Sequence, residues 1–262
     1  MTATRKPAVA GLFYPAQPAM LRREVQTLLA GAARAAGPRP RALIVPHAGY
    51  IYSGPAAAQA YARLQPWRDT IKKIVLLGPP HRLPVRGVAV SSADEFETPL
   101  GTVSLDRTAI DAIVRNPCVT INDPAHAPEH SLEVQLPFLQ TVLGAIEVVP
   151  LLVAASDAAQ VSELLLPWWE AADSLIVIST DLSHYLDHAA AVRRDAATDN
   201  AIMRLEHTLI GPEQACGCRA LNGLLHLARA RRAEIERLAL CNSGDTAGSR
   251  DRVVGYAAYA LY

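Results

Sequence analysis

Short apolar runs recur along the chain and alternate with longer stretches of helical pattern. Continuous apolar runs of this length predict strands that are buried on both faces, as in a parallel sheet. The four clearest are RALIVP (41–46), KIVLLG (73–78), IEVVPLLV (146–153) and SLIVIST (174–180). Helices are predicted at 55–64, 131–143, 157–171, 189–206 and 219–231, with Pro137 as a kink in the second of them. Strands that alternate with helices indicate an α/β fold.

The segments between and after these elements extend the same sheet. RVVGYAAYALY (252–262) is predicted to bring the chain back to it as a last strand. GVAVSS (87–92) and TVSLD (102–106) predict a smaller, inserted strand pair, and residues 31–41 a surface loop. Because no linker, repeat or low-complexity tract divides the chain, we predict one domain over residues 1–262. Its fold class is α/β, with a mainly parallel central sheet and helices on both faces.

The composition argues against several classes of partner. Lys plus Arg and Asp plus Glu number 25 each, so no basic excess indicates a nucleic-acid-binding protein. No run of about 18 apolar residues predicts a membrane span, and the N-terminal segment lacks the apolar core of a signal peptide. We therefore expect a cytoplasmic protein that binds neither nucleic acid nor a membrane. In that compartment the four cysteines are expected to be reduced.

Three of the eight histidines follow three different predicted strands. They are His47, His81 and His184, and Asp181 lies three residues before the last of them. In open α/β sheets, ligands bind at the carboxyl ends of the strands, so these side chains are predicted to share one site. Each histidine alone could instead be a packed, hydrogen-bonded ring. Imidazole is both the commonest side-chain metal ligand and a general base near neutral pH.

Two further segments carry candidate chemistry. EHSLEVQLPFL places His130 just before a helix that Ser131 could cap, which leaves open whether His130 joins the site or faces solvent. ACGCR places Cys216 and Cys218 ahead of the last predicted helix. A thiolate there is stabilised by the helix dipole and is a soft metal ligand. Two buried, unreactive cysteines are the alternative.

The remaining histidines do not stand at strand ends, and we predict surface or packing roles for them: His126, His188, His207 and His226. The segment NSGDTAGSRDRVVGYAAYA contains glycines that predict tight turns in a polar loop near the edge of the sheet: Gly244, Gly248 and Gly255. This loop could either close one wall of the pocket or contact the ligand directly.

Seven stretches taken together resemble the Memo family, including the Memo-like component of the bacterial and archaeal AmmeMemoRadiSam gene system. They are RKPAVAGLFYP, VPHAGYIYSG, LLGPPH, EHSLEVQLPFL, STDLSHY, ACG and NSGDTAGSRDRVVGYAAYA. They run in order from residue 5 to residue 259 and so cover essentially the whole chain. The resemblance implies a fold similar to the catalytic subunit of class III extradiol dioxygenases, which are non-haem iron enzymes that open catechol rings.

The resemblance also implies roles for single residues. Three would ligate a metal ion: His47, His81 and Cys216, the last in the place where the dioxygenases use a carboxylate. Three would serve catalysis in the pocket: His184 as the acid–base group, Asp181 beside it, and His130 in the lining. Fe(II) is the metal expected first. A cysteine in place of the carboxylate donates more electron density and could favour copper or zinc.

Two functions of different class follow. The first is a metal-dependent oxidoreductase, similar to the dioxygenases, that acts on an unidentified small substrate. The second is a non-enzymatic module that binds a metal ion or a peptide in the same pocket, and in either case the chain could form a homo-oligomer. A serine hydrolase built on Asp181, His184 and either Ser53 or Ser183 is disfavoured, because no nucleophile elbow is present. Zinc-dependent hydrolysis is the better of the hydrolytic alternatives.

Overall fold

The computed structural model describes residues 2–33 and 37–262, and in this part of the chain twelve strands form one mixed sheet. The strands are β1 (Thr4–Arg5), β2 (Ala42–Val45), β3 (Lys73–Gly78), β4 (Val88–Val90), β5 (Glu95–Thr98), β6 (Gly101–Leu105), β7 (Val119–Ile121), β8 (Glu147–Val153), β9 (Ser174–Ser179), β10 (His184–Leu186), β11 (Ile235–Asn242) and β12 (Val253–Leu261). The surface loop predicted at 31–41 includes residues 34–36, which lie outside the described residues.

Eight α-helices accompany the described strands. They are α1 (Pro18–Ala30), α2 (Tyr50–Ala62), α3 (Arg107–Ile113), α4 (Asp123–His126), α5 (Leu136–Leu143), α6 (Ala158–Glu170), α7 (His188–Met203) and α8 (Cys218–Ala230). Helices α1, α2 and α5 pack against one another, and α2 also contacts β2 and β12. Helices α6 and α8 pack together against β9. The sheet is therefore flanked by helices, as predicted. None of the helices in the described segments combines the length and hydrophobicity needed to cross a bilayer.

The four apolar runs form the centre of the sheet. They are neighbours in the order β8, β3, β9, β2, and every pairing among them is parallel. All residues of β2 and β9 are buried, as are all but the first of β3 and of β8. Continuous apolar sequence is what such doubly covered strands require, and the predicted α/β class with a mainly parallel centre is confirmed.

The last strand returns to the sheet beside β2, as predicted, and it runs antiparallel to it. The prediction that 87–92 and 102–106 pair with each other is wrong, although both segments contain strands. Strand β6 pairs with β5 through a tight turn and with the first residues of β8, whereas β4 pairs with the last residues of β8. Strand β8 is long enough to offer these two short strands separate parts of its edge.

Two predicted helix starts are also corrected. Helix α2 begins at Tyr50, well before the predicted residue 55, because the Tyr50 backbone N–H donates to Phe13 O at 2.8 Å and its hydroxyl to Val134 O at 2.6 Å. Helix α5 begins only after a 3-10 turn, so Pro137 lies in its first turn and produces no kink. Ser131 does not cap it, since its hydroxyl donates to Pro79 O at 2.9 Å.

Candidate metal centre and pocket

His47 follows the end of β2 and is oriented by a serine on the neighbouring strand. The Ser179 hydroxyl donates its single hydrogen to Ser131 O at 2.6 Å. It therefore accepts the 2.9 Å hydrogen bond from His47 Nδ1, which must carry the hydrogen. His47 Nε2 therefore carries no hydrogen and presents its lone pair to the pocket. The Asp181 carboxylate accepts from the His47 backbone N–H at 2.8 Å and fixes the backbone of the same residue.

His81 follows the end of β3 and is held by Glu129, a buried carboxylate. Glu129 Oε2 accepts from the His81 backbone N–H at 2.5 Å, and Oε1 lies 3.1 Å from His81 Nδ1. The backbone N–H groups of His130 and Ser131 also donate to Oε1, each at 2.9 Å. Burial of Glu129 opposes its ionisation, but hydrogen bonds from His130, His81 and Ser131 prevail and hold its pKa well below the usual range. This carboxylate binds Nδ1 of His81 and leaves Nε2 free for a metal.

Cys216 reaches the same place from the turn before α8. Its Sγ lies 3.4 Å from His47 Nε2 and accepts from the Asp181 backbone N–H at 3.3 Å. The turn packs tightly on the end of β9, since a Cβ atom added to Gly217 would lie 2.7 Å from Thr180 Cβ. Burial and the negative charge of Asp181 raise the pKa of the Cys216 thiol to about 12. The thiol is therefore neutral near pH 7 until a metal displaces its proton.

The three donors converge although they come from distant parts of the chain. The ligand atoms of His47, His81 and Cys216 all lie within 4.8 Å of one another. Two ligands that each stand about 2.0–2.4 Å from one ion can be at most about 4.8 Å apart, so the spacing fits a single metal ion. Burial, followed by the charges of His81 and His130, holds the pKa of His47 well below its ordinary value. Neutral imidazole is the form that ligates.

His130 lies beside this group and does not face solvent. Its ring stacks on His81 at a centroid distance of 4.8 Å, and Phe13 covers it at the same distance. Its Nδ1 is buried, 3.2 Å from Glu129 Oε1, and makes no hydrogen bond to any described residue. His81, Glu129 and His130 form a second group with metal-ligand spacing. Glu129 Oε1 already accepts three N–H groups, so an orienting role suits this carboxylate better than ligation.

His184 is the first residue of β10 and lines the same pocket. Within residues 2–33 and 37–262 its ring has no hydrogen-bond partner, so its nitrogens are available to a ligand. Asp181 bonds to His47 instead, and its second oxygen lies 3.9 Å from His47 Nε2. Burial raises the pKa of Asp181, while the His47 N–H and the charges of His184 and other histidines oppose the rise. Tyr185, the next residue, has a left-handed backbone with φ of 60°.

These side chains surround one pocket of about 900 Å³ at the carboxyl ends of the central strands. Four aromatic side chains contribute to its walls: Phe13, Tyr52, Tyr185 and Tyr256. Two arginines, Arg82 and Arg252, also line it. The polar loop before β12 supplies Ser243, Gly248 and Ser249, as expected for a loop that forms one wall. The pocket therefore contains a cluster of side chains that could ligate a metal ion, and aromatic and cationic groups line its walls.

The other candidate residues are absent from the described pocket lining. His126 is buried and bonds to Ala89 O at 3.1 Å, His188 pairs with Asp245 at 2.9 Å, and the rings of His207 and His226 lie 5.1 Å apart. Cys218 is buried in α8, and all four cysteines are unpaired. The Ser53 hydroxyl donates to Ala48 O at 2.9 Å and that of Ser183 is buried without a described partner, so neither forms a serine–histidine pair.

Two residues that orient the histidines were not predicted from the sequence: Glu129 and Ser179. Both stand inside the motifs EHSLEVQLPFL and STDLSHY, next to or near a candidate residue. The usable signal was a carboxylate beside His130 and a hydroxyl at the end of a buried strand. Ligating histidines generally donate their second ring N–H to such groups.

The motifs fall within a family match that spans almost the whole chain. Residues 5–260 match the family described as Memo-like protein. A MEMO1 family protein of Thermotoga maritima is 34% identical over 279 residues, with 98% of this chain and 99% of the relative covered. One of Methanopyrus kandleri is 36% identical over 277 residues, with 97% of each covered. A crystal structure of an uncharacterized protein from Escherichia coli K12 aligns with 83% of this chain and 99% of its own, at 12% identity and a TM-score of 0.46. By its family match and its curated relatives, this chain belongs to the Memo-like protein family.

Proposed function

We propose that this chain is a metal-dependent oxidoreductase that holds Fe(II) between His47, His81 and Cys216 and acts on a small organic substrate. The observation that carries the proposal is the convergence of these three donor atoms within 4.8 Å in an accessible pocket. Two histidines and one anionic ligand leave coordination positions open. When bound there, Fe(II) would supply Lewis acidity and redox chemistry toward dioxygen and the substrate.

The chain's own residues would orient the ligands and move a proton. Ser179 and Glu129 fix the rings of His47 and His81, so that one nitrogen of each is free to ligate. His184 is the proposed acid–base group, because its unbonded ring can exchange a proton with a substrate hydroxyl in the same pocket. The buried carboxylate of Asp181 would stabilise the protonated form of that ring.

The walls of the pocket support a planar substrate. Phe13, Tyr52, Tyr185 and Tyr256 offer aromatic faces, while the histidines supply convergent polar groups. An apolar pocket with a few placed polar groups is typical of small-molecule sites. A catechol-like ring is therefore the first substrate class to test, in line with the dioxygenase-like reaction that the motifs imply.

The first test is metal analysis of protein purified without oxygen. Wild-type protein is expected to retain about one metal ion per chain, chiefly iron, and His47→Ala and Cys216→Ser to lose most of it. His226→Ala and Cys241→Ser are matched controls outside the pocket lining and should retain it. Equal metal content in all five proteins would exclude the site. The same analysis identifies copper or zinc if either replaces iron.

The second test is oxygen uptake by the iron-loaded protein with a panel of catechols. His184→Ala should abolish uptake while the iron content stays at the wild-type level. That combination separates proton transfer from metal ligation. If His184→Ala lost its iron as well as its oxygen uptake, His184 would belong to the ligand set, and its proposed role as acid–base group would be contradicted.

A second candidate function is a metal- or peptide-binding module without turnover. It is favoured by the apolar mouth of the pocket, where Leu12 is 80% exposed and Ile51 65% exposed. Exposed apolar side chains around a cavity suit contact with a peptide. Two results together would support this function. Iron-loaded protein would take up no oxygen with any catechol, and it would bind peptides that the Leu12→Ser variant does not bind.

A further inference from the structure

A second pair of histidines lies away from the pocket, where a 3-10 turn packs on α8. The turn spans His207–Leu209, and the ring of His207 lies 5.1 Å from that of His226 on α8, centre to centre. The planes of the two rings are 81° apart. His47 and His81, the two histidines with metal-ligand spacing in the pocket, have nearly the same arrangement, at 5.0 Å and 74°. The second pair therefore repeats the ring geometry of the first.

The distance between the rings of His207 and His226 suits two imidazoles that bind one ion. A zinc ion stands about 2.0–2.1 Å from a ligating ring nitrogen, and therefore about 3.2 Å from the centre of that ring. At a tetrahedral angle the two ring centres are then about 5.2 Å apart. Two rings in simple edge contact also stand at such a distance, so the polar atoms beside the rings decide between the two arrangements.

Two buried polar atoms without a hydrogen-bond partner among the described residues lie at this pair. They are His207 Nδ1 and Asn222 Oδ1. Asn222 precedes His226 by four residues on α8, so the two side chains project from the same face of the helix. The Asn222 amide nitrogen donates to Ile210 O at 2.9 Å, directly after the 3-10 turn, which leaves the amide oxygen to another partner. Unsatisfied buried atoms of this kind indicate an ion or a water that completes the site.

The two rings are available to an ion. Burial, followed by the charges of His226 and Arg229, lowers the pKa of His207, so its imidazole is neutral near pH 7, the form that ligates. The ring of His226 makes no hydrogen bond in the described part of the chain. All three donors are neutral and the Arg229 cation is near. We therefore expect weaker binding here than at the site that contains Cys216.

We propose that His207 Nδ1, a ring nitrogen of His226 and Asn222 Oδ1 bind a second divalent transition-metal ion, such as Zn²⁺, Ni²⁺ or Cu²⁺. Imidazole is a ligand that suits all three ions. The ion would join the 3-10 turn to α8, and the segment between them carries Pro212 and Cys216 to the pocket. Because its binding is weak, this ion would be lost on dialysis, and purified His226→Ala would still retain the iron proposed for the pocket.

The test is titration of metal-free protein with Zn²⁺, measured by isothermal calorimetry. Wild-type protein should bind about two ions per chain, one of them about 100-fold more weakly than the other. His207→Ala and His226→Ala should each weaken the weaker site at least about tenfold and leave the tighter site within about twofold. Cys216→Ser should weaken the tighter site instead. His188→Ala, a half-buried histidine on α7 that pairs with Asp245, is the matched control and should change neither site.

Nitrogen spectra of the wild-type protein give a second measurement that does not depend on how a variant folds. In protein labelled with ¹⁵N at histidine, the ring signals of His207 and His226 should shift together as the weaker site fills, with His207 shifting at Nδ1. The inference is overturned if the His207 Nδ1 signal stays unchanged, or if the weaker binding persists in the His207→Ala/His226→Ala double variant. A buried water would then be the partner of these atoms. Zn²⁺ binding that depends on His207 and His226 but not on Cys216 would support this site and contradict the proposed function.

Discussion

The hydroxyl of Ser179 determines which nitrogen of His47 carries a hydrogen. That hydroxyl donates to Ser131 O and accepts from both His47 Nδ1 and Gln135 Nε2. The Gln135 amide is itself fixed, since its oxygen accepts from the Tyr61 hydroxyl and its nitrogen donates to Pro46 O. A buried chain of hydrogen bonds that reaches into the helical layer thus determines which nitrogen of His47 is available to a metal.

Ser179→Ala removes the acceptor for His47 Nδ1–H and frees the ring to change tautomer. We expect the metal dissociation constant to rise about 10- to 100-fold, the usual effect of losing a group that orients a ligand. Competition with a chromogenic chelator measures it. Ser156→Ala is the matched control, because Ser156 is also buried but its hydroxyl has no described partner. Equal affinities in both variants would show that the hydrogen bond does not tune the site.

Metal affinity should rise with pH because of Cys216. Its pKa of about 12, against 9.0 for an ordinary thiol, means that ligation as thiolate releases a proton. Between pH 7 and pH 9 the dissociation constant should fall about tenfold per pH unit, and Cys216→Ser should flatten this slope. Titrations with Co²⁺ at several pH values measure it. A wild-type affinity that did not change with pH would contradict thiolate ligation.

The same pKa makes a separate prediction for the metal-free protein. A raised pKa means that the folded chain holds the thiol proton more tightly than the unfolded chain does. The contribution of Cys216 to stability is therefore complete below about pH 9 and is lost as the pH rises toward 12. Denaturant unfolding of the wild type and Cys216→Ser across this range should show the wild type losing more stability. Parallel pH dependences would contradict it.

The ligand candidates could be predicted from the sequence, and their orienting partners could not. A histidine past a buried apolar run can be recognised locally, because the run itself marks the end of a strand. Glu129 is 48 residues from His81 and Ser179 is 132 residues from His47. Their hydrogen bonds depend on which strands become neighbours, and no local pattern records that.

The turn before α8, which packs on the end of β9, is tight enough for one glycine to control it. Gly217 has ordinary backbone angles, but an added Cβ would lie 2.7 Å from Thr180 Cβ and 2.8 Å from Ser179 O. Gly217→Ala should therefore cost about 1–3 kcal/mol in unfolding free energy and displace Cys216, with weaker metal binding. Gly31→Ala, where the nearest atom would be at 3.6 Å, is the control and should be tolerated. Chemical denaturation and metal titration measure the two effects.

Strands with continuous apolar sequence were predictable, and half-buried strands were not. Strand β11 reads IERLALCN, and most of its residues are partly exposed with charged side chains among them. Strand β10 is three residues long and contains the bulge at Tyr185. Such segments are strands because β12 provides a partner edge, which is a tertiary cause. The prediction that β4 and β6 pair with each other is wrong for the same reason. Each of them pairs with β8, a strand that follows much later in the sequence.

A buried ion pair fastens the N-terminal segment to the rest of the molecule. Glu133 is fully buried and accepts from Arg5 at 2.5 Å, from the backbone N–H groups of Ala8 and Val9, and from the Tyr14 hydroxyl at 2.6 Å. Burial, followed by the charge of Glu133, raises the pKa of Tyr14, so its hydroxyl remains a donor. The Glu133 carboxylate therefore holds residues 5–14 in place, and this segment carries Leu12 and Phe13, which line the pocket.

Glu133→Gln should lower the free energy of unfolding by about 3–5 kcal/mol, because it leaves the Arg5 charge buried without a counter-charge. The neighbouring pair Lys6–Glu97 is exposed, so Glu97→Gln is the matched control and should cost within about 1 kcal/mol. Urea unfolding followed by circular dichroism gives both values. Similar losses in the two variants would mean that burial of the Arg5–Glu133 pair does not matter.

The order of the central strands also has a consequence for synthesis. Strand β9 lies between β2 and β3, so the segments that carry His47 and His81 are made long before the strand that separates them. Cys216 follows His47 by 169 residues. While the chain is still being synthesised, His47 and His81 are not yet held next to each other, and Cys216 has not been made. The three proposed ligands come together only once the parallel core has closed, so the proposed metal would bind late, after the chain has folded.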